Sequence, residues 1–266
     1  MAGLYIHIPF CKQACYYCDF HFSTNTSYRS QMIDSISKEL ELQKAYLNHE
    51  NLDTIYFGGG TPSILASEEL EKLLNSMNRL FKINQHPEIT LEANPDDLSI
   101  EKLNDLNSLG INRLSIGIQS FHDKTLNFLN RAHNSNDAIK CIENAREAGF
   151  ENLSIDLIFS IPGQTITDLR KDIDEALKHD PEHISVYSLT IEEKTVFGNW
   201  HKKGKFNQVL DEESASQFDL IISRLEENKY EQYEISNFCR DGNFSRHNTS
   251  YWKNINYLGV GPGAHS

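Results

Sequence analysis

Three cysteines near the amino end of the sequence, Cys11, Cys15 and Cys18, have the spacing C-x3-C-x2-C. Thiolates in one short loop can hold an iron–sulfur cluster, and [4Fe–4S] clusters are normally bound by four cysteines. A loop with three cysteines leaves one iron without a protein ligand, so that iron is open to a small molecule. The spacing therefore predicts a cluster with one reactive iron.

Other uses of cysteine fit the sequence less well. A structural zinc site needs four ligands, often in C-x2-C pairs, and the two remaining cysteines, Cys141 and Cys239, are isolated. Disulfides suit short secreted chains, whereas this chain has 266 residues, five cysteines and no secretory pattern over Met1 to Phe10. A zinc-stabilised α/β domain without redox chemistry stays an alternative. The cysteine usage predicts a cytoplasmic protein.

The charge of the chain limits its partners. It has 25 Lys and Arg against 38 Asp and Glu, which gives a formal net charge of −13. This acidic excess disfavours a broad phosphate-binding surface, so we expect no nucleic-acid partner. No stretch of the sequence is apolar enough to predict a membrane span, and the lack of low-complexity tracts predicts a globular chain throughout.

Short β-branched and aromatic segments alternate with segments of helical period, which is typical of βα units in a parallel sheet. Six units fit either an open doubly wound sheet or a partial barrel. The predicted strands are Leu4–Ile8, Thr54–Phe57, Glu88–Glu92, Arg113–Ile118, Leu153–Phe159 and His183–Leu189. Cys141 lies on a helical apolar stripe between two of these strands, so we interpret it as a small buried hydrophobe.

The pattern changes after about residue 195. We therefore predict a barrel over residues 1–195 and a carboxy-terminal extension over residues 196–266. An apolar stripe predicts a helix over Glu213–Leu225, and an aromatic, turn-rich stretch follows from Tyr230. The sequence closes with GVGPGAHS, for which no strand or helix is predicted, so we expect a missing carboxy-terminal part.

Polar and glycine-rich residues follow the predicted strands, where the ligand sites of parallel α/β folds lie. Gly58–Ser63 (GGGTPS) follows the second strand, and its glycines predict either a close approach of backbone to a ligand or a tight turn. Glu92 closes the third strand and could accept hydrogen bonds from ribose hydroxyls, or lie solvated. Asp156 lies in an apolar run, and because a buried unpaired carboxylate is unstable, we expect it to have a partner or a ligand.

Several motifs occur in a consistent order along nearly the whole chain: YIHIPFC-x3-C-x2-C, GGGTPS, LEANP, GIQSF, NRAH and DLIFSIPGQT. In this order they resemble the radical S-adenosylmethionine (SAM) proteins of the coproporphyrinogen III dehydrogenase family. The resemblance implies a partial (β/α)6 barrel with parallel strands, followed by an α+β extension. It also implies a [4Fe–4S] cluster whose open iron binds the amino and carboxylate groups of SAM.

The resemblance implies roles for single residues. It assigns the cluster to Cys11, Cys15 and Cys18, and it places around a first SAM the residues Tyr5, Tyr17, Gly59, Gly60, Thr61 and Glu92. Contacts of a second SAM in the dehydrogenase correspond to Gln119, Arg131 and Asp156, and a further contact corresponds to Thr190. Whether one or two SAM molecules bind stays open.

Two features separate the chain from the dehydrogenase. The enzyme has a further cysteine two positions after the third, where this chain has Phe20. His247–Trp252 (HNTSYW), together with GVGPGAHS, resembles a sister branch that is credited with binding haem and passing it to acceptor proteins. Neutral imidazole ligates haem iron and aromatic rings pack on the macrocycle. His247 is therefore the predicted haem ligand, with His265 and then Cys239 as further candidates and a plain hydrogen-bonding role as the alternative.

The leading prediction is a haem chaperone that binds a [4Fe–4S] cluster, SAM and haem, with no residue assigned as catalytic. The enzyme alternative is an oxygen-independent coproporphyrinogen III dehydrogenase, which converts propionates to vinyls in haem biosynthesis. The implied partners are haem, a haem-acceptor protein and an electron donor. Peripheral membrane contact and a homodimer stay open.

Overall fold

Parallel strands alternate with helices along most of the chain in the computed structural model, which describes residues 2–266. The strands are β1 Ala2–Ile8, β2 Leu52–Gly59, β3 Ile83–Ala93, β4 Arg113–Gln119, β5 Leu153–Phe159, β6 His183–Ser188, β7 Glu231–Gln232, β8 Asn237–Cys239 and β9 Tyr257–Val260. The helices are α1 Arg29–Leu42, α2 Ser67–Leu80, α3 Ile100–Ser108, α4 Asp123–Leu129, α5 Ser135–Glu147, α6 Ile166–Lys178, α7 Val196–Lys202, α8 Asp211–Glu227 and α9 Arg246–Trp252. All six predicted strands are confirmed.

The strands form one sheet in the order β7-β8-β6-β5-β4-β3-β2-β1-β9. Strands β1 to β6 pair in sequence order and parallel, β9 pairs parallel with β1, and β8 pairs antiparallel with β6. One cavity touches side chains from each of β2 to β6, so the sheet is concave. The fold is thus a partial barrel, as expected for βα units closed on themselves.

The convex face of the sheet forms the main core with the helices. Alternate residues of β1, namely Leu4, Ile6 and Ile8, are fully buried there, as the period of two along a strand requires. The predicted helical stripes are buried as well, and Cys141 on α5 is 2% exposed within the core cluster. Its interpretation as a small hydrophobe is confirmed.

The concave face is polar instead. The residues that alternate with the core positions include Tyr5 and His7 on β1, Thr54 and Tyr56 on β2, Glu88 and Glu92 on β3, and Arg113 and Ser115 on β4. Since these side chains share the interior of the barrel, each needs a hydrogen-bond partner or a ligand.

Residues 196–266 contain more regular structure than the sequence predicted. The helix expected over Glu213–Leu225 is confirmed as α8, but the stretch after Tyr230, for which no strand was predicted, contains β7, β8, α9 and β9. These strands have two to four residues, too few to show a hydrophobic alternation, and they form on the open edges of a sheet that is already built. They join both edges of the sheet, and the domain division at residue 195 stays a prediction.

The helices α1 to α9 lie within residues 2–266. None of them combines the length and the apolar character that a bilayer crossing requires.

Candidate functional site

A cavity of about 670 Å³ opens at the carboxyl ends of the barrel strands, a size typical of small-molecule sites. It brings together nearly all the site residues predicted from the sequence. Those that line it are Cys11, Cys15, Tyr17, Cys18, Gly59, Gly60, Thr61, Glu92, Gln119, Arg131, Asp156 and Thr190. Tyr5 and His247 lie outside it.

The three cysteines lie on the loop between β1 and α1, at the rim of this cavity. Backbone hydrogen bonds close the loop, including Ser23 N to Pro9 O at 2.6 Å and Cys11 N to Ser23 O at 3.1 Å. Burial raises the pKa of the Cys11 thiol to about 11, and it also raises the pKa of Cys18. Partly buried thiolates need a cation beside them, which the irons of a cluster would supply, so the loop fits the predicted group.

Metal-ligating side chains do not gather around one point in the described part of the chain. Within residues 2–266, no three His, Cys, Asp or Glu side chains converge closely enough to share one metal ion. The zinc-stabilised domain stays an alternative prediction.

The glycines of GGGTPS hold the end of β2 against the cysteine loop. Gly60 N donates to Ile8 O at 2.8 Å and Thr61 N donates to Phe10 O at 2.7 Å. A Cβ on Gly60 would lie 2.8 Å from Phe10 O, and Gly59 has a φ of +113°. Both positions therefore require glycine because the backbone here packs closely against the cysteine loop, and the approach to a ligand stays a prediction.

Arg131, from the loop after α4, reaches the cysteines from the opposite side. Its Nη1 donates to Cys15 Sγ at 3.3 Å, and its Nη2 donates to Asn94 Oδ1 at 2.6 Å and to Gly117 O at 2.7 Å. Tyr17 OH lies 3.4 Å from the same Nη1. The guanidinium is therefore held in place by three elements of the fold.

Glu92 lies deeper in the cavity, at the end of β3. Its carboxylate accepts hydrogen bonds from Tyr56 OH at 2.9 Å and from Gly59 N at 3.2 Å. Burial, followed by the nearby Asp156 charge, raises the pKa of Glu92 to about 7. A carboxylate with two oxygens facing a cavity is suited to accept hydrogen bonds from a diol such as a ribose.

Asp156 on β5 has the partners that its apolar sequence context led us to expect. Its carboxylate accepts from Ser115 Oγ at 3.0 Å and from Ser154 Oγ at 3.1 Å. Burial raises its pKa. Serine donors satisfy the carboxylate without neutralising it, so Asp156 lines the cavity as a second acidic group.

Several cavity residues were not found by motif reasoning. They include Tyr56, Asn94, Arg113, Ser115 and Ser185. Arg113 is only 1% exposed, and its Nε and Nη1 have no hydrogen-bond partner among residues 2–266. The signal that could have found most of them is a polar residue at every second position of a buried strand, since only one face of such a strand can be apolar.

His247 lies on α9 at the amino end of the barrel and does not line the cavity, although its neighbour Asn248 does. Its side chain is fully buried, with Nδ1 at 2.8 Å from Thr54 Oγ1 and Nε2 at 2.9 Å from Tyr251 OH. Burial, followed by the Arg113 charge, lowers its pKa to about 3. Haem ligation by His247 stays a prediction, and it requires one of these hydroxyls to release a ring nitrogen.

Tyr5, which is predicted to contact SAM, and the further haem candidates His265 and Cys239 also lie outside the cavity. The Tyr5 ring stacks on both Tyr56 and His247, with its centroid 6.0 and 6.3 Å from theirs. Tyr56 and His247 also stack on each other, with centroids 5.1 Å apart, so the three rings form one cluster beside the cavity that Tyr56 lines. His265 is exposed after β9, and Cys239 is buried on β8.

A partial barrel with a three-cysteine loop at the carboxyl ends of its strands defines a class that the comparisons identify. A model of the Radical SAM superfamily matches residues 5–176, and the chain belongs to this superfamily. It is similar to the Heme chaperone HemW of Bacillus subtilis, with 44% identity over all of this chain and 70% of the relative. The HemW of Lactococcus lactis is 39% identical over 98% of this chain and 68% of the relative.

A solved structure supports the fold independently. Coproporphyrinogen III oxidase (HemN) from Escherichia coli, a radical SAM enzyme, superposes with a TM-score of 0.86 at 23% sequence identity. The match covers 99% of this chain and 64% of the enzyme. At this identity the likeness establishes the partial barrel, and the relation to the HemW proteins rests on the sequence comparisons.

Proposed function

We propose that this protein is a haem chaperone that holds a [4Fe–4S] cluster and SAM at the carboxyl end of its barrel and passes haem to an acceptor protein. The observation that carries the proposal is the 44% identity with a HemW protein over the whole chain. A cytoplasmic location and an electron donor are parts of the same proposal. The cluster and SAM, when bound, supply one-electron chemistry, and the protein supplies placement and electrostatics.

The residues of the cavity divide between the two cofactors. Cys11, Cys15 and Cys18 hold three irons of the cluster. Glu92 accepts the ribose hydroxyls of a first SAM, and Gln119 and Arg131 line the space proposed for a second SAM. Asp156 and Thr190 bound the remaining space, in which a second SAM or another small molecule binds.

Haem binds at α9 in this proposal, with His247 as the iron ligand. The low pKa of His247 keeps its imidazole neutral, which is the form that ligates iron. Tyr251 is 40% exposed and Trp252 is 65% exposed, so both rings are available to pack on a macrocycle. His247 becomes a ligand when Tyr251 releases Nε2.

Haem titration of three proteins tests this site. His247→Ala removes the ligand, and we expect loss of the haem absorption band that the wild type develops. Tyr251→Phe removes the hydroxyl that competes for Nε2 and keeps the aromatic ring, so we expect haem to bind more tightly, by roughly threefold to tenfold for one hydrogen bond.

The two variants change haem affinity in opposite directions only if His247 is the ligand. If His247→Ala retains the wild-type affinity and spectrum, His247 is removed from the site, and His265→Ala is the next variant to titrate. If Tyr251→Phe weakens haem binding while His247→Ala abolishes it, the release step is wrong although the ligand is right.

A further inference from the structure

Two side chains outside the cysteine set donate hydrogen bonds to cysteine sulfurs. Thr61 Oγ1 donates to Cys11 Sγ at 3.4 Å, and Arg131 Nη1 donates to Cys15 Sγ at 3.3 Å. Both distances are normal for a sulfur acceptor, which is larger than oxygen. The donors come from different parts of the fold, since Thr61 follows β2 and Arg131 follows α4.

The charge on Arg131 is fixed beside the sulfur and does not depend on a flexible side chain. Asn94 Oδ1 and Gly117 O both accept from Nη2, at 2.6 and 2.7 Å. The side chain of Thr61 is equally constrained, because the residue is 4% exposed and its Oγ1 accepts from Asn94 Nδ2 at 3.3 Å. Asn94 therefore links the two donors into one network around the cysteine loop.

We infer that Arg131 and Thr61 set the reduction potential of the cluster by donating hydrogen bonds to its cysteine sulfurs. The inference rests on the proposed function, because it requires the cluster to bind. One-electron reduction by an external donor adds one negative charge to the iron–sulfur–thiolate unit. A fixed cation and a hydroxyl donor stabilise the more negative state, so they raise the potential. This role of Arg131 is separate from the SAM contact predicted for it.

Redox titration of the reconstituted, SAM-free protein tests the inference. We expect Arg131→Met, which removes the charge and keeps the bulk, to make reduction about tenfold less favourable, or about 59 mV more negative for a one-electron couple. Thr61→Val removes a neutral donor at nearly constant shape, so we expect a smaller shift in the same direction. Thr61→Ser keeps the donor and should titrate as the wild type does.

Lys12→Gln controls for the loss of a charge in the same loop. Lys12 lies next to Cys11 but forms ion pairs with Asp96, at 2.9 Å, and with Asp97, and its side chain is 45% exposed. Because water and salt screen an exposed charge, we expect the reduction potential of the cluster in the Lys12→Gln protein to stay close to that of the wild type. A Lys12→Gln shift as large as that of Arg131→Met would mean that loop charge alone is responsible, which contradicts the inference.

Iron and sulfide analysis of every variant separates the two proposals. A wild type that takes up no cluster contradicts the proposed function. Fully loaded Arg131→Met and Thr61→Val proteins with wild-type potentials overturn the inference and leave the proposed function standing. If Arg131→Met holds no cluster, the comparison of Thr61→Val with Thr61→Ser decides, since equal potentials for that pair also overturn the inference.

Discussion

The two ends of the barrel use buried polar residues in opposite ways. At the carboxyl end, cysteines, carboxylates and an arginine face a cavity of about 670 Å³. At the amino end, α9 closes the barrel, and the polar atoms of its buried His247 bond to the protein, including the backbone N to Glu88 at 2.9 Å. The same polar interior thus faces a cavity at one end and is bonded to the protein at the other.

This difference explains why residue type alone does not locate a site. His247 is buried and Glu92 is half-buried, and both are titratable and strongly shifted in pKa. Glu92 lines the cavity, whereas His247 does not line it and has both ring nitrogens next to hydroxyls. Shifted pKa values mark functional sites and structural networks alike, so access to a cavity must decide between them.

The largest effects should distinguish the two ends directly. Cys15→Ala should abolish cluster binding, because it removes a thiolate ligand, while the free energy of unfolding of the apoprotein stays near that of the wild type. His247→Ala should retain the cluster and lower the free energy of unfolding by about 2–4 kcal/mol, since it leaves a cavity and two unpaired hydroxyls. Iron and sulfide analysis and urea unfolding measure the two quantities.

Either of two other results would contradict this difference between the two ends of the barrel. Loss of the cluster in a folded His247→Ala protein would mean that the amino end also organises the cofactor site. A Cys15→Ala protein that keeps its full iron content would show that the loop does not hold the cluster.

A smaller effect concerns the pH dependence of stability. The pKa of Glu92 is about 7 in the folded protein against an ordinary value of 4.5. The folded state therefore binds more protons than the unfolded state between these values, and its free energy of unfolding falls as the pH rises from about 4.5 to 7. Glu92→Gln should flatten this fall, and it should weaken SAM binding by about tenfold.

Urea unfolding of the apoprotein at pH 5 and pH 7.5 measures the slope, and calorimetry measures SAM affinity. Glu71→Gln, at an exposed position of α2, is the control for removing one acidic charge. If the free energy of unfolding of the Glu92→Gln protein depends on pH as that of the wild type does, burial does not raise the pKa of Glu92. The contrast between the two ends of the barrel would then be weaker.

The smallest effect compares two exposed aromatic residues at opposite ends. Phe20 at the cavity mouth is 75% exposed and Trp252 on α9 is 65% exposed. Because neither side chain is buried, Phe20→Ser and Trp252→Ser should each change the free energy of unfolding by less than about 0.5 kcal/mol. Trp252→Ser should weaken haem binding severalfold, by about 1 kcal/mol for one aromatic contact, and Phe20→Ser should not.

Haem titration of both variants checks this prediction. The opposite result, in which Phe20→Ser weakens haem binding and Trp252→Ser does not, would indicate that haem binds in the cavity and not at α9. It would then share the carboxyl end of the barrel with the cluster.

The sequence predicted the barrel well because its strands are regular and buried. Each of β1 to β6 is at least six residues long, and β-branched and aromatic side chains occur in these strands. The alternation of side chains along each strand is therefore visible in the sequence. The short strands β7 and β9 were missed because their pairing depends on the edges of the sheet and not on their own composition. The same limit applies to α9, whose seven residues carry a motif but too few turns to show a helical period.

The sequence motifs predicted most residues of the candidate site but not the hydrogen bonds between residues that are distant in the sequence. Gly59, Glu92 and the cysteines stand out by spacing and by position after strands. The contact of Arg131 with Cys15 joins residues 116 positions apart in the sequence, and no local pattern encodes it. Asn94, which bonds to both Arg131 and Thr61, is likewise visible only once β3 and β4 lie side by side.

The pairing of β9 with β1 affects how the protein matures during synthesis. β1 leads directly into the cysteine loop, and its two neighbours are β2 and β9, which begin at Leu52 and Tyr257. One edge of β1 thus stays unpaired during synthesis until β9, one of the last described segments, emerges. Gly261 and Gly263, which follow β9, then pack against His7 and His21 on either side of the cysteines. These contacts with the cysteine loop therefore form only after β9 has paired with β1.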